Sequence, residues 1–169
     1  SELAAKYQVT AKFKGRAEDQ AQTLRDLKWG LCLAVLLIYF TLAWVAESYV
    51  WPLILMAIIP FGLMGGLLGH VVLGIDVTIL SLFGLFGLSG IMLNDSIILL
   101  LTFRGIHAHE SDIAKSLHLA CKQRLRPVLL TSLTTMGGLL PILFERSVQA
   151  QFLIPMAVTI IFGLAVSTV

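Results

Sequence analysis

Long apolar runs separated by short polar turns dominate the hydrophobic pattern of this chain. The runs cover roughly residues 28–46, 52–73, 77–103, 127–144 and 152–169. Each is close to the length of about 20 residues that a helix needs to cross a bilayer. The pattern therefore predicts an all-α, polytopic membrane bundle of about five transmembrane helices. Pro60 predicts a kink in the second helix, and the third run is long enough that its helix must tilt or protrude.

The residues before the first run follow a different pattern. Apolar and polar residues alternate from Lys6 to Lys14, which predicts a short, half-buried strand with no partner strand elsewhere in the chain. We therefore expect residues 1–27 to be the remnant of a preceding aqueous domain with a linker helix, and residues 28–169 to be the membrane domain. The last run ends at Val169 without a charged residue, so both ends indicate a fragment of a longer protein.

Three polar residues, Asn94, Asp95 and Ser96, interrupt the middle of the third run. A charged carboxylate at the centre of a bilayer costs about 2.5–3.5 kcal/mol on insertion scales. An acid in this position is therefore a candidate functional group that needs a partner. The alternative for Asn94 is a structural role, in which its amide only forms a hydrogen bond between two packed helices.

Glycines predict which helix faces pack closely. On a helix, Asn94 lies within about 40° of two glycines, with a third at the edge of that face, whereas Asp95 turns toward Leu88, Ile91 and Thr102. Small residues at this spacing let another backbone approach, so we expect Asn94 to face a neighbouring helix. Ordinary packing explains the glycines of the second run as well. The predicted packing glycines are Gly62, Gly66, Gly69, Gly84, Gly87 and Gly90.

Composition and charge exclude several functions. Hydrophobic residues make up 57% of the chain and charged residues 13%, with a mean hydropathy of +0.90. These values exclude a water-soluble domain and indicate that the helices contact the lipid bilayer. The net charge of +2 gives no indication of nucleic-acid binding. The two cysteines, Cys32 and Cys121, form neither a disulfide framework nor a metal-binding spacing. No cofactor and no metal are indicated.

The polar connection between the third and fourth runs predicts the orientation. It contains five basic residues against Glu110 and Asp112, and the positive-inside rule places it in the cytoplasm. Residues 111–125 are predicted to form an amphipathic cytoplasmic helix, and Pro127 suits the start of the next span. That span is dense in hydroxyls, which either bond back to their own helix or form a shared polar site. The hydroxyl residues are Thr131, Ser132, Thr134 and Thr135.

Several strings resemble a known family. GLSGIMLNDSIILLLTF, RLRPVLLTSLTTMGGLLPILFE and QAQFLIPMAVTIIFGL, preceded by ESYVWPLILMAIIPFGLMGGLLGH, are similar to the second half of resistance-nodulation-division (RND) efflux transporters of the acriflavine-resistance type, from the end of a periplasmic subdomain through helices 8 to 12. The resemblance implies a multi-pass protein of the bacterial inner membrane that exchanges protons for hydrophobic or amphiphilic compounds. It also implies a homotrimer that contains the first half of the same transporter and works with a periplasmic adaptor and an outer-membrane channel.

The resemblance also implies a proton relay, which carries over at three positions. Asn94 occupies the helix 10 position where the best-known multidrug pumps have Lys, Arg124 matches the relay Arg before helix 11, and Thr131 matches the helix 11 Thr. The family's two essential acids lie on helix 4, in the first half of the transporter, and are absent here. The neutral amide of Asn94 cannot compensate the charge of such a carboxylate, so Arg124 is the remaining cation. Asp95 stands where those pumps are not usually acidic, which makes it a fourth candidate of open role.

Two other functions compete with proton antiport. Gly87-Leu88-Ser89-Gly90 matches the GxSG string of intramembrane serine proteases, which need a His to activate the hydroxyl. However, His70 is predicted near the outer end of its span, and the other histidines lie in the polar connection. A translocation-assisting membrane subunit of the same superfamily is the other alternative, and the periplasmic domain would distinguish it.

Overall fold

The structure is a computed structural model that describes residues 16–168, with side chains from Gln22 onward. Six helices make up the described part of the chain. The predicted strand from Lys6 to Lys14 lies outside the described residues. The helices are α1 (Arg16–Ala46), α2 (Val50–Met56), α3 (Ile59–Leu73), α4 (Ile79–His107), α5 (Ile113–Phe144) and α6 (Val148–Thr168).

These helices confirm the predicted all-α bundle with five membrane spans. Five segments are long and apolar enough to cross a bilayer, namely Gln22–Ala46, Val50–Leu73, Ile79–His107, Ile113–Phe144 and Val148–Thr168. The chain divides into two compact units, and the boundary falls within α1 after Ile38. The first unit contains the earlier part of α1. The second contains the last turns of α1 and all of α2 to α6, and it includes every residue of the candidate site described below.

Prolines affect two spans differently. In the second span, α2 ends at Met56 and α3 begins at Ile59, because Pro60 has no N–H to offer Met56 and its ring would crowd that carbonyl. In α5, by contrast, the helix continues through Pro127 and Pro141. The predicted amphipathic helix and the predicted fourth span are therefore one continuous helix of 32 residues.

Helix α6 lies at the centre of the second unit, where it packs against α3, α4 and α5. Its sequence contains no charged residue, so it can be enclosed without burying a charge. Val158 and Leu164 are almost fully buried, and Leu164 forms a core with Leu88 and Met92 of α4. The core of the bundle is thus formed where α4 crosses α6.

Several predicted packing glycines lie at these crossings. A Cβ atom on Gly84 would lie 2.8 Å from the Met156 carbonyl oxygen of α6, and one on Gly66 would lie 3.1 Å from the Thr159 side chain. A Cβ on Gly62 or Gly69 would meet the Met92 or Phe162 side chain at 2.5 Å. These four positions therefore lie at close contacts between neighbouring helices.

Hydrogen bonds connect the helices at both ends of the bundle. At one end the Arg104 guanidinium donates to the carbonyl oxygen of Ala46, which satisfies a backbone acceptor at the C-terminus of α1. At the other end, His70 Nδ1 lies 2.9 Å from the Ile75 carbonyl oxygen. His70 Nε2 lies 2.9 Å from Thr159 Oγ1. The turn after Ala46 and the end of α4 therefore lie on the same side of the bundle.

Candidate functional site

The polar trio of α4 points in three directions. Asp95 is half-buried and lines a cavity. Ser96 lines the same cavity, but its hydroxyl donates to the Met92 carbonyl of its own helix at 2.8 Å. Asn94 is exposed. Successive helical residues are turned by about 100°. When one face of α4 packs against α6, the residues next to that face in the sequence therefore point away from α6.

The cavity has a volume of about 250 Å³ and lies between α4, α5 and α6, with Ile58 from the α2–α3 break in its wall. Most of the wall is apolar, so the few polar groups in it interact in a medium of low polarity. The ionisable side chains in the wall are Asp95, Cys121 and Arg124. Ser96, Ser167 and Thr168 add hydroxyls. A space of this size with several polar groups can hold water.

Arg124 is held by α4 rather than by a carboxylate. Its Nε donates a hydrogen bond of 2.7 Å to Thr102 Oγ1, and the Thr102 hydroxyl donates at 2.8 Å to the Ile98 carbonyl. Thr102 lies seven residues after Asp95, on the same face of α4 and about 10 Å further along the axis. Asp95 and Arg124 thus line the same cavity, but the hydrogen bond to Thr102 holds Arg124 about two helical turns along α4 from Asp95. Among the described side chains, neither forms an ion pair.

The hydroxyl residues of α5 separate into two roles. Thr131 lies next to the Asp95 carboxyl group, although its hydroxyl donates to the Val128 carbonyl at 2.9 Å. Thr134 and Thr135 also donate to carbonyls of their own helix. Ser132 is buried and bonds Thr168 of α6 at 2.9 Å. Thr131 is therefore the α5 hydroxyl that meets the polar trio, and Ser132 joins two helices.

The face of α4 that contains Asn94 is open within the described residues. A Cβ on Gly90 would meet no atom within 4 Å, and one on Gly87 would meet only Ile160 Cδ1, at 3.9 Å. We expected Asn94 to face a neighbouring helix, but α6 packs against the side of α4 that contains Leu88 and Met92. The sequence gives the angles between side chains, but it does not say which side the next helix covers.

Of the four relay candidates, the structure brings Asp95, Arg124 and Thr131 to one region and leaves Asn94 outside it. Thr102, which binds Arg124, was noted in the sequence only as a neighbour of Asp95 on the helix face. Its spacing of seven residues from Asp95 was the available signal. In the described part of the chain, no group of three His, Cys, Asp or Glu side chains could bind a metal ion.

Five apolar helices of membrane-spanning length define a multi-pass membrane protein. Two side chains of opposite charge, Asp95 and Arg124, line one cavity between these helices. The family model described as AcrB/AcrD/AcrF matches residues 2–169, and the chain belongs to this family of RND transporters.

Proposed function

We propose that this chain is the second-half membrane domain of a proton-driven RND transporter that exports hydrophobic or amphiphilic compounds. The family supports a role in transport. The observation that carries the proton-coupled mechanism is that Asp95 and Arg124 line one cavity, with Thr131 beside the Asp95 carboxyl group. Transport by this mechanism is proton antiport and requires no enzyme chemistry.

In this proposal Asp95 exchanges the proton and Arg124 provides the opposing charge. When Asp95 is ionised, attraction across a cavity with mostly apolar walls draws α4 and α5 together, because charges beside apolar walls are screened less than charges in bulk water. Protonation of Asp95 removes that attraction. The proton thereby changes the relative energy of two helix arrangements, which is the requirement for coupling proton entry to a conformational change.

In this proposal Asn94 acts on a different face of α4, turned by about 100° from Asp95. Its amide can donate to a carboxylate but cannot neutralise one, and its face is open in the described chain. We propose that the first half of the same transporter covers this face and brings its own acids to Asn94. The glycines at 87 and 90 would permit the close approach that such packing needs.

The wider assembly is part of the same proposal. The resemblance to acriflavine-resistance-type pumps supports a homotrimer in the bacterial inner membrane that works with a periplasmic adaptor and an outer-membrane channel. The five spans support the embedding in the bilayer.

Efflux measurements on the full-length transporter test the relay. Everted membrane vesicles would be loaded with ethidium or Nile red as probes, energised by a pH gradient and compared with and without a protonophore. We expect Asn94→Leu, Asp95→Asn, Arg124→Ala and Thr131→Ala each to abolish probe movement while membrane insertion and trimer assembly stay intact. Ser89→Ala is the matched control, because the Ser89 hydroxyl donates to the Phe86 carbonyl of its own helix and Ser89 is not in the cavity wall. Normal efflux in all four variants at matched expression would refute the relay.

The same experiment separates the alternatives. In an intramembrane serine protease a His must receive the Ser89 proton, but His70 bonds Ile75 and Thr159 with its two ring nitrogens. If Ser89 were a nucleophile, Ser89→Ala would be inactive in a proteolysis assay. A translocation-assisting subunit would move neither probe in wild-type vesicles, whatever the pH gradient.

A further inference from the structure

We propose that Thr102 is a positioning residue that holds Arg124 away from Asp95, an inference that rests on the proposed function of the Asp95–Arg124 cavity. The hydrogen bond from Arg124 Nε to Thr102 Oγ1, at 2.7 Å, joins α5 to α4 across 22 positions of sequence. It is the contact that determines where the guanidinium lies relative to the cavity.

The Thr102 side chain is suited to hold a guanidinium in one place. Its hydroxyl proton is donated to the Ile98 carbonyl, so its oxygen presents only lone pairs to Arg124, which is a donor without acceptor atoms. A β-branched side chain has few χ1 rotamers on a helix, and the bond to Ile98 selects one of them. The acceptor therefore has a fixed position on α4.

That position is separated from Asp95 along α4. The step of seven residues from Asp95 to Thr102 is about two helical turns, or about 10 Å. The two side chains share a face and the cavity extends beside them. A guanidinium held at Thr102 remains in the same cavity as Asp95 but at a different level, so the two charges attract each other without forming a contact pair.

No other charged group of the described residues competes for Arg124 in the cavity. The wall residues from the α2–α3 break and from α6 are uncharged, and Arg124 is the charged wall residue of α5. Arg104 of α4 is engaged with the Ala46 carbonyl. If the Thr102 hydroxyl is removed, Asp95 is the remaining anionic partner in the cavity, and the guanidinium is expected to move toward it.

A permanent Asp95–Arg124 contact pair would block the cycle. A buried, hydrogen-bonded pair holds the carboxylate in its ionised form, so the proton could no longer alternate between bound and released states. Loss of a hydrogen bond to a charged group reduces the occupancy of the held position by about 10- to 100-fold. The maximal transport rate should fall accordingly, whereas substrate affinity should not, because in this proposal Thr102 acts through the position of Arg124 and touches no substrate.

The test compares Thr102→Val, which has nearly the shape of Thr but no hydroxyl, with Thr102→Ser, which keeps the hydroxyl. Both are made in the full-length transporter, and ethidium efflux from everted vesicles is measured over a range of probe concentrations. We expect Thr102→Val to lower the maximal rate at least about 10-fold with an unchanged KM. Thr102→Ser should restore most of the rate, and Ser89→Ala on the same helix should match wild type.

Three other outcomes overturn the inference. If wild-type vesicles transport ethidium and Thr102→Val does so at the same maximal rate, Thr102 does not position Arg124, and the proposed function stands. Equal losses in Thr102→Val and Thr102→Ser also contradict it, because the hydroxyl is then not the active feature. If Thr102→Val fails to assemble, Thr102→Ala replaces it in the same comparison. If wild-type vesicles move no probe, the proposed function fails, and this inference fails with it.

Discussion

A single methyl group added at Gly65 tests how closely α3 and α6 approach each other. A Cβ at this position would lie 2.7 Å from the Phe162 carbonyl oxygen and 2.9 Å from Gly163 Cα. Both are backbone atoms, so no side chain can rotate to make room, and the helices must move apart. Gly137 of α5 is the matched control, because a Cβ there would meet no atom within 4 Å.

The expected magnitude follows from the difference between the two variants. Overpacking of a close contact costs about 1–3 kcal/mol. Each Gly→Ala change also gains up to about 1 kcal/mol of helix propensity, and this gain cancels in the comparison. Gly65→Ala should therefore be less stable than Gly137→Ala by about 1–3 kcal/mol, and Gly137→Ala should be at least as stable as wild type.

The assay is an SDS titration of the purified chain in dodecyl maltoside micelles, followed by tryptophan fluorescence. The SDS mole fraction at the midpoint should be lowest for Gly65→Ala. Equal midpoints for Gly65→Ala and Gly137→Ala would refute the reasoning, because they would show that α3 and α6 are not held at backbone contact in the folded protein.

Three further predictions concern two helix ends and the orientation of the chain in the membrane. Arg104→Ala should lower the free energy of unfolding by about 1 kcal/mol and so shift the SDS midpoint downward, because the Ala46 carbonyl loses its cationic donor. Arg104→Lys should lose less, and an unchanged midpoint in Arg104→Ala would contradict the contact. Asp112→Ala should destabilise the start of α5 by about 1 kcal/mol, since Asp112 accepts from the amides of Ala114 and Lys115. Faster hydrogen exchange at those two amides, rescued by Asp112→Ser, is the measurement, and unchanged exchange would argue against the cap. Finally, in a Cys32→Ser variant a membrane-impermeant thiol reagent should label Cys121 only after spheroplasts are broken, as the predicted cytoplasmic location of the polar connection requires. Prompt labelling of intact spheroplasts would reverse the predicted orientation.

The spans were predictable because hydropathy depends only on local composition, but their ends were not. The apolar run predicted the fourth span from residue 127, whereas α5 begins at Ile113. Hydropathy reports where a helix is apolar, and a helix can continue into polar sequence. Pro60 ends α2 early, as the predicted kink required, and Pro127 leaves α5 unbroken. Both lack the same N–H, so surrounding contacts must decide whether the helix continues.

The sequence was enough to choose the residues of the candidate site, but it was not enough to predict how they are arranged. The cost of an acid in a membrane pointed to Asp95, and helical angles separated Asp95 from Asn94. The contact between Arg124 and Thr102 joins two helices, and such a contact depends on how far one helix is shifted and rotated against another. Periodicity within one helix contains no information on that shift. The open Asn94 face could not be foreseen for the same reason.

The hydrogen bond between His70 and Thr159 has a consequence for a distant part of the bundle. A helix behaves as a stiff rod, so fixing its azimuth at one level fixes it along its whole length. His70 is buried, and its other ring nitrogen bonds the Ile75 carbonyl. Its bond to Thr159 therefore opposes rotation of α6 about its own axis. Eight residues later, about 12 Å along the rod, Ser167 enters the cavity wall beside Thr168. The bond between His70 and Thr159 therefore favours the rotation of α6 that places Ser167 and Thr168 in the cavity wall.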